Sequence, residues 1–270
     1  AGTLRGGQVQ LDASASSQFV SGLLLSAASM DRGLELHHVG PPLPSAPHVE
    51  MTVAMLAQAG VTVEGVGDEW HVDPAPVQPQ LWEIEPDLSN AGPFLAAAMV
   101  TGSTVTIPGW PAHTTQAGDY WREFLPRLGA TLQDNLTVTG PGSFDGFDVD
   151  LRAVGELTPT IAALAACANT PSRLRGIGHL RGHETDRLRA IATELTRIGI
   201  TVEETSDGLR IDPTSRHARS TETLQTYADH RMATMAAILA LRVEGLQVAD
   251  PATTAKTMPD FVSRWEGMLA

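Results

Sequence analysis

The residue types that could do chemistry gather in short polar clusters, and each cluster directly precedes a predicted helix. Four clusters come before helices of small and apolar residues, at 14–18, 87–90, 155–158 and 229–231. Four more come before amphipathic helices, at 45–48, 114–119, 182–187 and 255–257. A helix N-terminus offers free N–H groups and the positive end of a dipole, which together bind phosphate or carboxylate. The clusters therefore indicate sites for small anions, which would face one cleft if the helices run in one direction.

Two arginines in these clusters stand where their charge opposes the helix dipole. Arg187 falls in the first turn of its predicted helix, and Arg231 falls at the start of another. A cation placed there destabilises a helix by ~0.3–1 kcal/mol, so two such cations favour an anionic ligand as the missing partner. The alternative for the first cluster is capping by Thr185, with Glu184 and Asp186 complementing the dipole.

Other clusters also have a plain capping alternative. The side chains of Ser16, Ser17 and Gln18 offer more hydroxyl and amide groups than a cap needs, so ligand binding and capping are equally good interpretations there. For residues 87–90 and 114–116, simple N-capping is the favoured interpretation.

The clusters belong to an internal repeat of about 70 residues. Gly60, Gly129 and Gly199 each follow a predicted amphipathic helix, and each is followed by two short alternating runs. The second runs are 69–73, 135–139 and 208–212. A glycine after the last helical turn and a hairpin beyond it are ordinary helix-end and strand signals. Together with the preceding strand and helix, the pattern predicts an α/β fold of repeated β-α-β-α-β-β units.

Hydrophobic periodicity places the elements within each unit. Evenly apolar helices are predicted at 19–28, 92–100, 161–168 and 232–241. Helices that are apolar all round are expected to be buried on all sides. The helix over 185–198 is amphipathic, and Arg189, Glu194 and Arg197 are expected to face solvent.

Length and composition bound the class of protein. A chain of 270 residues suits one or two domains, and the proline-rich stretch 73–80 is the best linker candidate. With 42% hydrophobic residues and no apolar run of ~18 residues, the sequence predicts a soluble protein without a membrane partner. The single cysteine, Cys167, excludes internal disulfides, is expected to fill the core, and is typical of a cytoplasmic location.

The net charge and the absence of certain motifs argue against further kinds of ligand. A net charge of −13 argues against nucleic acid as the main partner, but not against a small anion held by local cations. No side-chain spacing resembles a metal site and no glycine-rich phosphate loop occurs, so neither a metal nor a nucleotide cofactor is predicted. Four histidines without a partner pattern are expected at the surface: His37, His38, His71 and His217.

Four motifs, taken in order, resemble the 5-enolpyruvylshikimate-3-phosphate (EPSP) synthase family. They are Leu-Asp-Ala-Ser-Ala-Ser-Ser-Gln at 11–18, His-Glu-Thr-Asp-Arg-Leu at 183–188, Tyr-Ala-Asp-His-Arg-Met at 227–232 and Thr-Ala-Lys-Thr at 254–257. The resemblance covers essentially the whole chain, and the stretches 84–88 and 146–159 are similar to actinobacterial members.

The resemblance implies a two-domain enolpyruvyl transferase architecture, an inside-out α/β barrel of six units. This chain would hold about four of them and be incomplete, because the sequence opens on a strand already under way at 7–11 and such units need neighbours to bury a core. Residues 1–79 would form the C-terminal part of the upper, shikimate-phosphate domain. Residues 80–270 would form the lower, phosphoenolpyruvate-side domain.

The activity that the resemblance implies is transfer of the enolpyruvyl group of phosphoenolpyruvate to the 5-hydroxyl of shikimate 3-phosphate, with release of phosphate. This reaction belongs to aromatic amino-acid biosynthesis and is the target of glyphosate. No cofactor is implied, and the full enzyme would be a monomer. A lysine–serine loop and one arginine of the family would be absent, so the 270 residues alone are expected to be inactive. The missing segment could then be a partner as a separate chain.

The resemblance also implies site residues. Glu156 would be the base on the 5-hydroxyl, and Glu184 would exchange protons at the methylene carbon. Shikimate 3-phosphate would be bound by Ser16, Ser17, Gln18, Ser45, Glu156, His179 and His183. Phosphoenolpyruvate would be bound by Gln18, Arg187, His230, Arg231 and Lys256.

Four positions depart from the commoner family pattern. Many members carry Asp, Lys, Asn and an aromatic residue where this chain has Glu156, His183, His179 and His48 respectively. Glu156 keeps the carboxyl group of the commoner Asp, whereas the charge of His183, in place of Lys, would now depend on pH. The departures leave the binding of shikimate phosphate less well defined than the phosphoenolpyruvate contacts.

Two other functions are alternatives to this interpretation. The sister transferase that acts on UDP-N-acetylglucosamine shares the fold, but it uses a cysteine acid on an upper-domain loop, and Cys167 is in the wrong place for that role. The second alternative belongs to a different class, a non-catalytic fragment that binds shikimate 3-phosphate or another anion without turnover.

Overall fold

The computed structural model describes residues 4–133 and 136–270. The chain divides into two compact units, and each is described by itself. Unit 1 comprises Ala1–Ile84 with His113–Ala117, and unit 2 comprises Glu85–Ala112 with Gly118–Ala270. The predicted run at 135–139 begins at Asn135, which lies outside the described residues.

Unit 1 contains one complete β-α-β-α-β-β unit. Its elements are β1 (Gly7–Leu11), α1 (Gln18–Ala27), β2 (Leu34–His38), α2 (Ala46–Gln58), β3 (Glu64–Val66) and β4 (Glu69–Val72). The strands form one sheet in the order β1-β2-β4-β3, in which only the β1–β2 pair is parallel. β2 alternates buried and exposed residues, so Leu34 and Leu36 point into a core shared with Val20 and Leu24 of α1.

Unit 2 contains the remaining elements. They are α3 (Leu88–Thr101), β5 (Thr104–Thr106), α4 (Trp121–Arg127), β6 (Thr131–Gln133), β7 (Thr137–Thr139), β8 (Asp148–Asp150), α5 (Thr158–Cys167), β9 (Ser172–Arg175), α6 (Arg187–Arg197), β10 (Thr201–Glu204), β11 (Leu209–Asp212), β12 (Thr223–Leu224), α7 (His230–Ala240), β13 (Gln247–Val248) and α8 (Phe261–Leu269). Short 3₁₀ segments precede α4, α5, α6 and α8. The strands pair as β5-β7-β6, β10-β11-β9-β8 and β12-β13.

The core of unit 2 forms where α3, α5 and α7 pack against one another. Every residue of α5 is buried, and its alanines allow the neighbouring helices to approach closely. Cys167 is 5% exposed, and burial raises the pKa of its thiol to about 11. The predictions of apolar buried helices and of a core cysteine are thus confirmed for this unit.

The repeat predicted from sequence is present in the backbone. Gly60, Gly129 and Gly199 have φ angles of 78°, 89° and 82°, the left-handed region in which a residue with a Cβ is strained. After each glycine comes an antiparallel hairpin, β3–β4, β6–β7 or β10–β11. The order β-α-β-α-β-β is complete in β1–β4 and again in β8–β11.

Three expectations about burial are wrong. Glu194, predicted to face solvent, is 0% exposed because its carboxylate accepts two hydrogen bonds from the segment before α7. His38 is 4% exposed, and its imidazole accepts from the Ala13 backbone N–H through Nδ1 and donates to the Pro41 carbonyl through Nε2. Helix α1 is not buried on all sides, since Phe19 and Leu25 are 51% and 60% exposed on the side away from its buried Val20 and Leu24.

Within residues 4–133 and 136–270, no helix combines the length and the apolar character that crossing a membrane requires.

Candidate functional site

The N-termini of α6 and α7 are joined by a buried ion pair. Asp229, the N-cap of α7, accepts from the Arg231 backbone N–H through Oδ1 at 2.9 Å. Its other oxygen, Oδ2, accepts from Arg187 Nε at 2.6 Å, and the two side chains are 0% and 3% exposed. Arg187 is the first residue of α6, whose N-cap is Asp186 and not Thr185. The two helices therefore present their first turns to the same place.

Glu184 lies between two cations at this place. Its Oε2 accepts from Arg187 Nη2 at 2.7 Å, and its Oε1 accepts from Lys256 Nζ at 2.7 Å. Burial raises the pKa of the Glu184 carboxyl, but the Lys256 hydrogen bond and the Arg187 charge outweigh burial and lower the pKa to about 2. Glu184 is therefore ionised when no ligand is bound, and the cations that hold it could equally hold an external anion.

Lys256 is placed by contacts with the first turn of α3. Asn90 Oδ1 accepts from Thr257 Oγ1 at 3.3 Å, and Asn90 Nδ2 donates to the Thr257 carbonyl at 3.4 Å. Asn90 is itself fixed by the N-cap Asp87, which accepts from the Asn90 backbone at 2.9 Å. The cluster at 87–90, for which capping was favoured, therefore caps α3 and also holds the residue next to Lys256.

Arg231 supplies a third cation. Burial lowers the pKa of its guanidinium and the nearby Arg187 charge lowers it further, whereas the charges of Glu156, Asp87 and Asp229 raise it. Among the residues that the structure describes, none accepts a hydrogen bond from this guanidinium. Its five N–H donors are thus available to a planar carboxylate or a phosphate.

Three histidines around these cations have lowered pKa values. Burial first, and then the charge of Arg231, lower the pKa of His230 to about 4. Burial and the neighbouring His183 lower the pKa of His179 to about 4, and burial and the Arg187 charge also lower the pKa of His183. The His179 and His183 rings are 5.6 Å apart. The expected change in the charge of His183 is consequently shifted to lower pH. A neutral imidazole can both donate and accept a hydrogen bond.

Glu156 lies in the 3₁₀ segment Arg152–Leu157 that leads into α5. Its negative charge raises the pKa values of both His179 and Arg231, which places the carboxylate near the two groups. Gly155 permits the close packing of His179, because a Cβ at that position would lie 2.7 Å from His179 Nε2.

The remaining predicted site residues belong to unit 1. Ser16 Oγ accepts from the Gln18 backbone N–H at 3.3 Å, so part of this cluster acts as a turn at the start of α1. Ser17 is buried at the N-cap of α1, yet its hydroxyl makes no capping hydrogen bond. Ser45 precedes α2 with a left-handed φ of 50° and also makes no capping hydrogen bond with its side chain. A strained non-glycine residue at a helix start is a frequent feature of ligand sites.

The structure brings together Glu156, His179, His183, Glu184, Arg187, His230, Arg231 and Lys256 in unit 2, whereas Ser16, Ser17, Gln18 and Ser45 lie in unit 1. Two contributors were not singled out from sequence. Asp229 was named only as a member of the cluster 229–231, although an acidic residue two positions before an opposing arginine is a usable signal. The role of Asn90 had no signal, because its partner Thr257 is 167 positions away.

The fold is that of the enolpyruvyl transferases. The fold matches EPSP synthase from Acinetobacter baumannii with a TM-score of 0.78 at 23% identity, over 98% of this chain and 63% of that one. It also matches the enolpyruvyl transferase NikO from Streptomyces tendae with a TM-score of 0.72 at 21% identity, over 99% and 64% of the two chains. The fold class predicted from sequence is confirmed.

The chain belongs to the EPSP synthase (3-phosphoshikimate 1-carboxyvinyltransferase) family, whose model matches residues 1–265. It is 58% identical, over an alignment of 273 residues, to 3-phosphoshikimate 1-carboxyvinyltransferase of Kocuria rhizophila. The alignment covers 99% of this chain and 61% of that relative, so the chain spans about three fifths of the relative's length. The family resemblance inferred from the motifs is confirmed, and the roles of individual residues stay predictions.

Proposed function

We propose that this chain carries the phosphoenolpyruvate-binding and proton-transferring part of an EPSP synthase. The reaction joins the enolpyruvyl group of phosphoenolpyruvate to the 5-hydroxyl of shikimate 3-phosphate and releases phosphate. Family membership and the curated relative's name support this activity. The observation that carries the proposal is the Glu184 carboxylate, held at 2.7 Å from both Arg187 and Lys256.

In the first step, the 5-hydroxyl oxygen bonds to C2 of phosphoenolpyruvate and its proton passes to Glu156. The methylene carbon C3 gains a proton, so that a tetrahedral intermediate with a methyl group forms. In the second step, the methyl group returns a proton to Glu184 and the C2–O bond to phosphate breaks. Phosphate leaves with the proton that Glu156 took from the hydroxyl, so both carboxyl groups are regenerated. Glu184 is the proposed carrier of the proton at C3 in both directions.

The cations explain how one carboxyl group could serve both steps. Without ligand, Lys256 and Arg187 keep the pKa of Glu184 low. An anionic substrate that takes over these two cations removes the groups that stabilise the carboxylate, so the pKa of Glu184 rises towards the range of a proton donor. Binding of phosphoenolpyruvate would thus convert Glu184 from a counter-ion into an acid.

Arg187, Arg231 and Lys256 are proposed to hold the carboxylate and phosphate of phosphoenolpyruvate, with neutral His230 beside them and Gln18 also in contact. Arg231 is suited to this role because its partly buried guanidinium donates no hydrogen bond to the described residues. Neutralising the charge that develops on the departing phosphate is the largest contribution that such cations make to catalysis.

Shikimate 3-phosphate is proposed to bind to Ser16, Ser17, Gln18, Ser45, Glu156, His179 and His183. The hydroxyls of Ser17 and Ser45 make no capping hydrogen bond and are suited to phosphate oxygens, and imidazoles are suited to the sugar-like hydroxyls of shikimate. We further propose residues 1–79 as part of the shikimate-phosphate domain and residues 80–270 as the phosphoenolpyruvate-side domain.

Phosphate release tests the proposal. The 270-residue chain is incubated with phosphoenolpyruvate and either shikimate 3-phosphate or UDP-N-acetylglucosamine, with and without the additional segment that the longer relatives possess. We expect release only with shikimate 3-phosphate, and negligible turnover by the 270 residues alone. Release with the nucleotide sugar would instead support the sister transferase. Binding of phosphoenolpyruvate without release under every condition would support the non-catalytic alternative.

A further inference from the structure

The segment that leads into α7 contains a bend, at which two consecutive residues adopt the left-handed backbone conformation. Tyr227 and Ala228 have φ angles of 55° and 54°. A Cβ crowds the following carbonyl in this region, so such conformations persist where the surroundings impose them, and they gather at ligand sites. The bend directly precedes Asp229, His230 and Arg231, three residues of the candidate site.

A buried carboxylate on α6 holds this bend in place. Glu194 Oε1 accepts from the Tyr227 hydroxyl at 2.6 Å, and Glu194 Oε2 accepts from the Gln225 backbone N–H at 2.9 Å. Arg197 adds a third link, since its Nη1 donates to the Thr223 carbonyl at 3.0 Å and lies 3.7 Å from Glu194 Oε2. The Glu194 side chain is 0% exposed, so a loss of these partners would leave a charge buried without compensation.

Arg187 and Glu194, which hold the segment before α7, lie on one face of α6. Glu194 follows Arg187 by about two helical turns, so both side chains leave the helix on the same side. Arg187 holds Asp229 and Glu194 holds Tyr227, with Ala228 between the two held positions. One helix face therefore fixes the segment on both sides of the bend and with it the direction of the first turn of α7.

We propose that Glu194 and Tyr227 are positioning residues for the anion site. Their hydrogen bond fixes the bend, and the bend aims His230 and Arg231 at the anion that Arg187 and Lys256 hold. Neither residue touches the ligand. The inference deepens the proposed function and rests on it, because the anion is taken to be phosphoenolpyruvate.

The hydrogen bond between Tyr227 and Glu194 is expected to persist over a wide pH range. Burial and the hydrogen bond to Glu194 raise the pKa of the Tyr227 hydroxyl to about 12. The hydroxyl therefore remains a donor throughout the pH range in which a biosynthetic enzyme works, and the link is not a pH switch.

The test compares Tyr227→Phe with Tyr120→Phe, which removes the hydroxyl of the other tyrosine in the chain. Phosphoenolpyruvate affinity is measured by calorimetry on the whole chain, and the thermal midpoint is recorded in parallel. We expect Tyr227→Phe to weaken binding about fivefold to tenfold with a small shift in midpoint, and Tyr120→Phe to leave affinity unchanged. Adding Ala228→Gly to Tyr227→Phe should recover part of the affinity, because glycine adopts the left-handed bend without strain.

Unchanged affinity in Tyr227→Phe would overturn the inference, and a lowered thermal midpoint without loss of affinity would show a structural role only. If the unsubstituted chain binds neither phosphoenolpyruvate nor inorganic phosphate, the proposed function fails instead. The positioning role is then decided by amide hydrogen exchange at residues 229–233. Faster exchange in Tyr227→Phe than in Tyr120→Phe supports it, and equal exchange overturns it.

Discussion

Asp229 binds Arg187 through one carboxylate oxygen and caps the N-terminus of helix α7 through the other. The Arg187 Nε–Asp229 Oδ2 distance is 2.6 Å, and Oδ1 accepts from the Arg231 backbone N–H at 2.9 Å. One carboxylate thereby links the orientation of a cation on α6 to the start of α7. The two arginines that oppose their helix dipoles are both tied to this residue, which compensates part of their unfavourable charge.

The Asp229–Arg187 pair should contribute strongly to stability. Asp229→Asn removes the buried negative charge and leaves Arg187 with the Glu184 carboxylate as its anionic partner, so the expected loss of unfolding free energy is about 3 kcal/mol, the lower end for such pairs. Urea unfolding measures the change. The control is Asp260→Asn, which breaks the exposed Asp260–Arg264 pair and should change the unfolding free energy by less than about 1 kcal/mol. Equal losses in the two variants would contradict the assignment of a special role to the buried pair.

Glu184→Gln should separate binding from turnover. The amide cannot carry a proton to C3, so phosphate release should fall by about 10²–10⁴-fold under the conditions in which the unsubstituted protein turns over. Affinity for phosphoenolpyruvate should be unchanged or higher, because the carboxylate no longer competes for Lys256 and Arg187. Calorimetry beside the phosphate assay measures both effects. A parallel loss of binding and turnover would speak against the proton-transfer role.

Arg231→Ala should weaken phosphoenolpyruvate binding selectively. Loss of charge-assisted hydrogen bonds from one partly buried guanidinium corresponds to about a 10- to 150-fold change in dissociation constant. Affinity for shikimate 3-phosphate should change far less. Arg189→Ala, an exposed arginine in the first turn of α6, is the matched control and should affect neither ligand. Equal weakening of both ligands in Arg231→Ala would count against the assignment.

Acid should destabilise the protein through its neutral histidines. His230 is 4% exposed and its pKa is lowered to about 4, so the folded state resists protonation while the unfolded chain titrates near 6.5. Its stabilising contribution is complete above pH 6.5 and is lost as the pH falls towards 4, by about 3 kcal/mol at most. The groups that face His230 are Arg231, Asp229, Lys256 and Arg187.

Urea unfolding of the unsubstituted protein and of His230→Asn, from pH 7.5 to pH 5, measures this contribution. The variant should show a shallower decline of unfolding free energy, with the remaining slope due in part to His179, whose pKa is also lowered to about 4. Superimposable pH profiles would refute the assignment of a neutral buried imidazole to His230.

The backbone of this protein was predictable because its signals are local. A glycine after an amphipathic helix and an alternating run beyond it act over a few residues, and Gly199 with the hairpin β10–β11 appears where the pattern indicated. The dipole argument for Arg187 and Arg231 was local too, and it pointed to two of the three cations of the candidate site.

The side-chain partners were not predictable because they are distant in sequence. Glu184 meets Lys256 across 72 positions, and Arg187 meets Asp229 across 42. Periodicity also reports only the usual preference of a residue type, so it assigned Glu194 to solvent. The burial of Glu194 depends on the Tyr227 hydroxyl, 33 positions later, which no local pattern reveals.

The Glu184 carboxylate lies between Arg187 and Lys256, so any anion that binds these two cations must displace it. Without a bound anion, the Glu184 carboxylate neutralises part of the charge of Arg187 and Lys256. In the proposed function, phosphoenolpyruvate would take over the cations from Glu184, so part of its binding free energy would be spent on breaking these two ion pairs. If the proposed role holds, the affinity for phosphoenolpyruvate is set by a competition inside the protein and not by the strength of the cations alone.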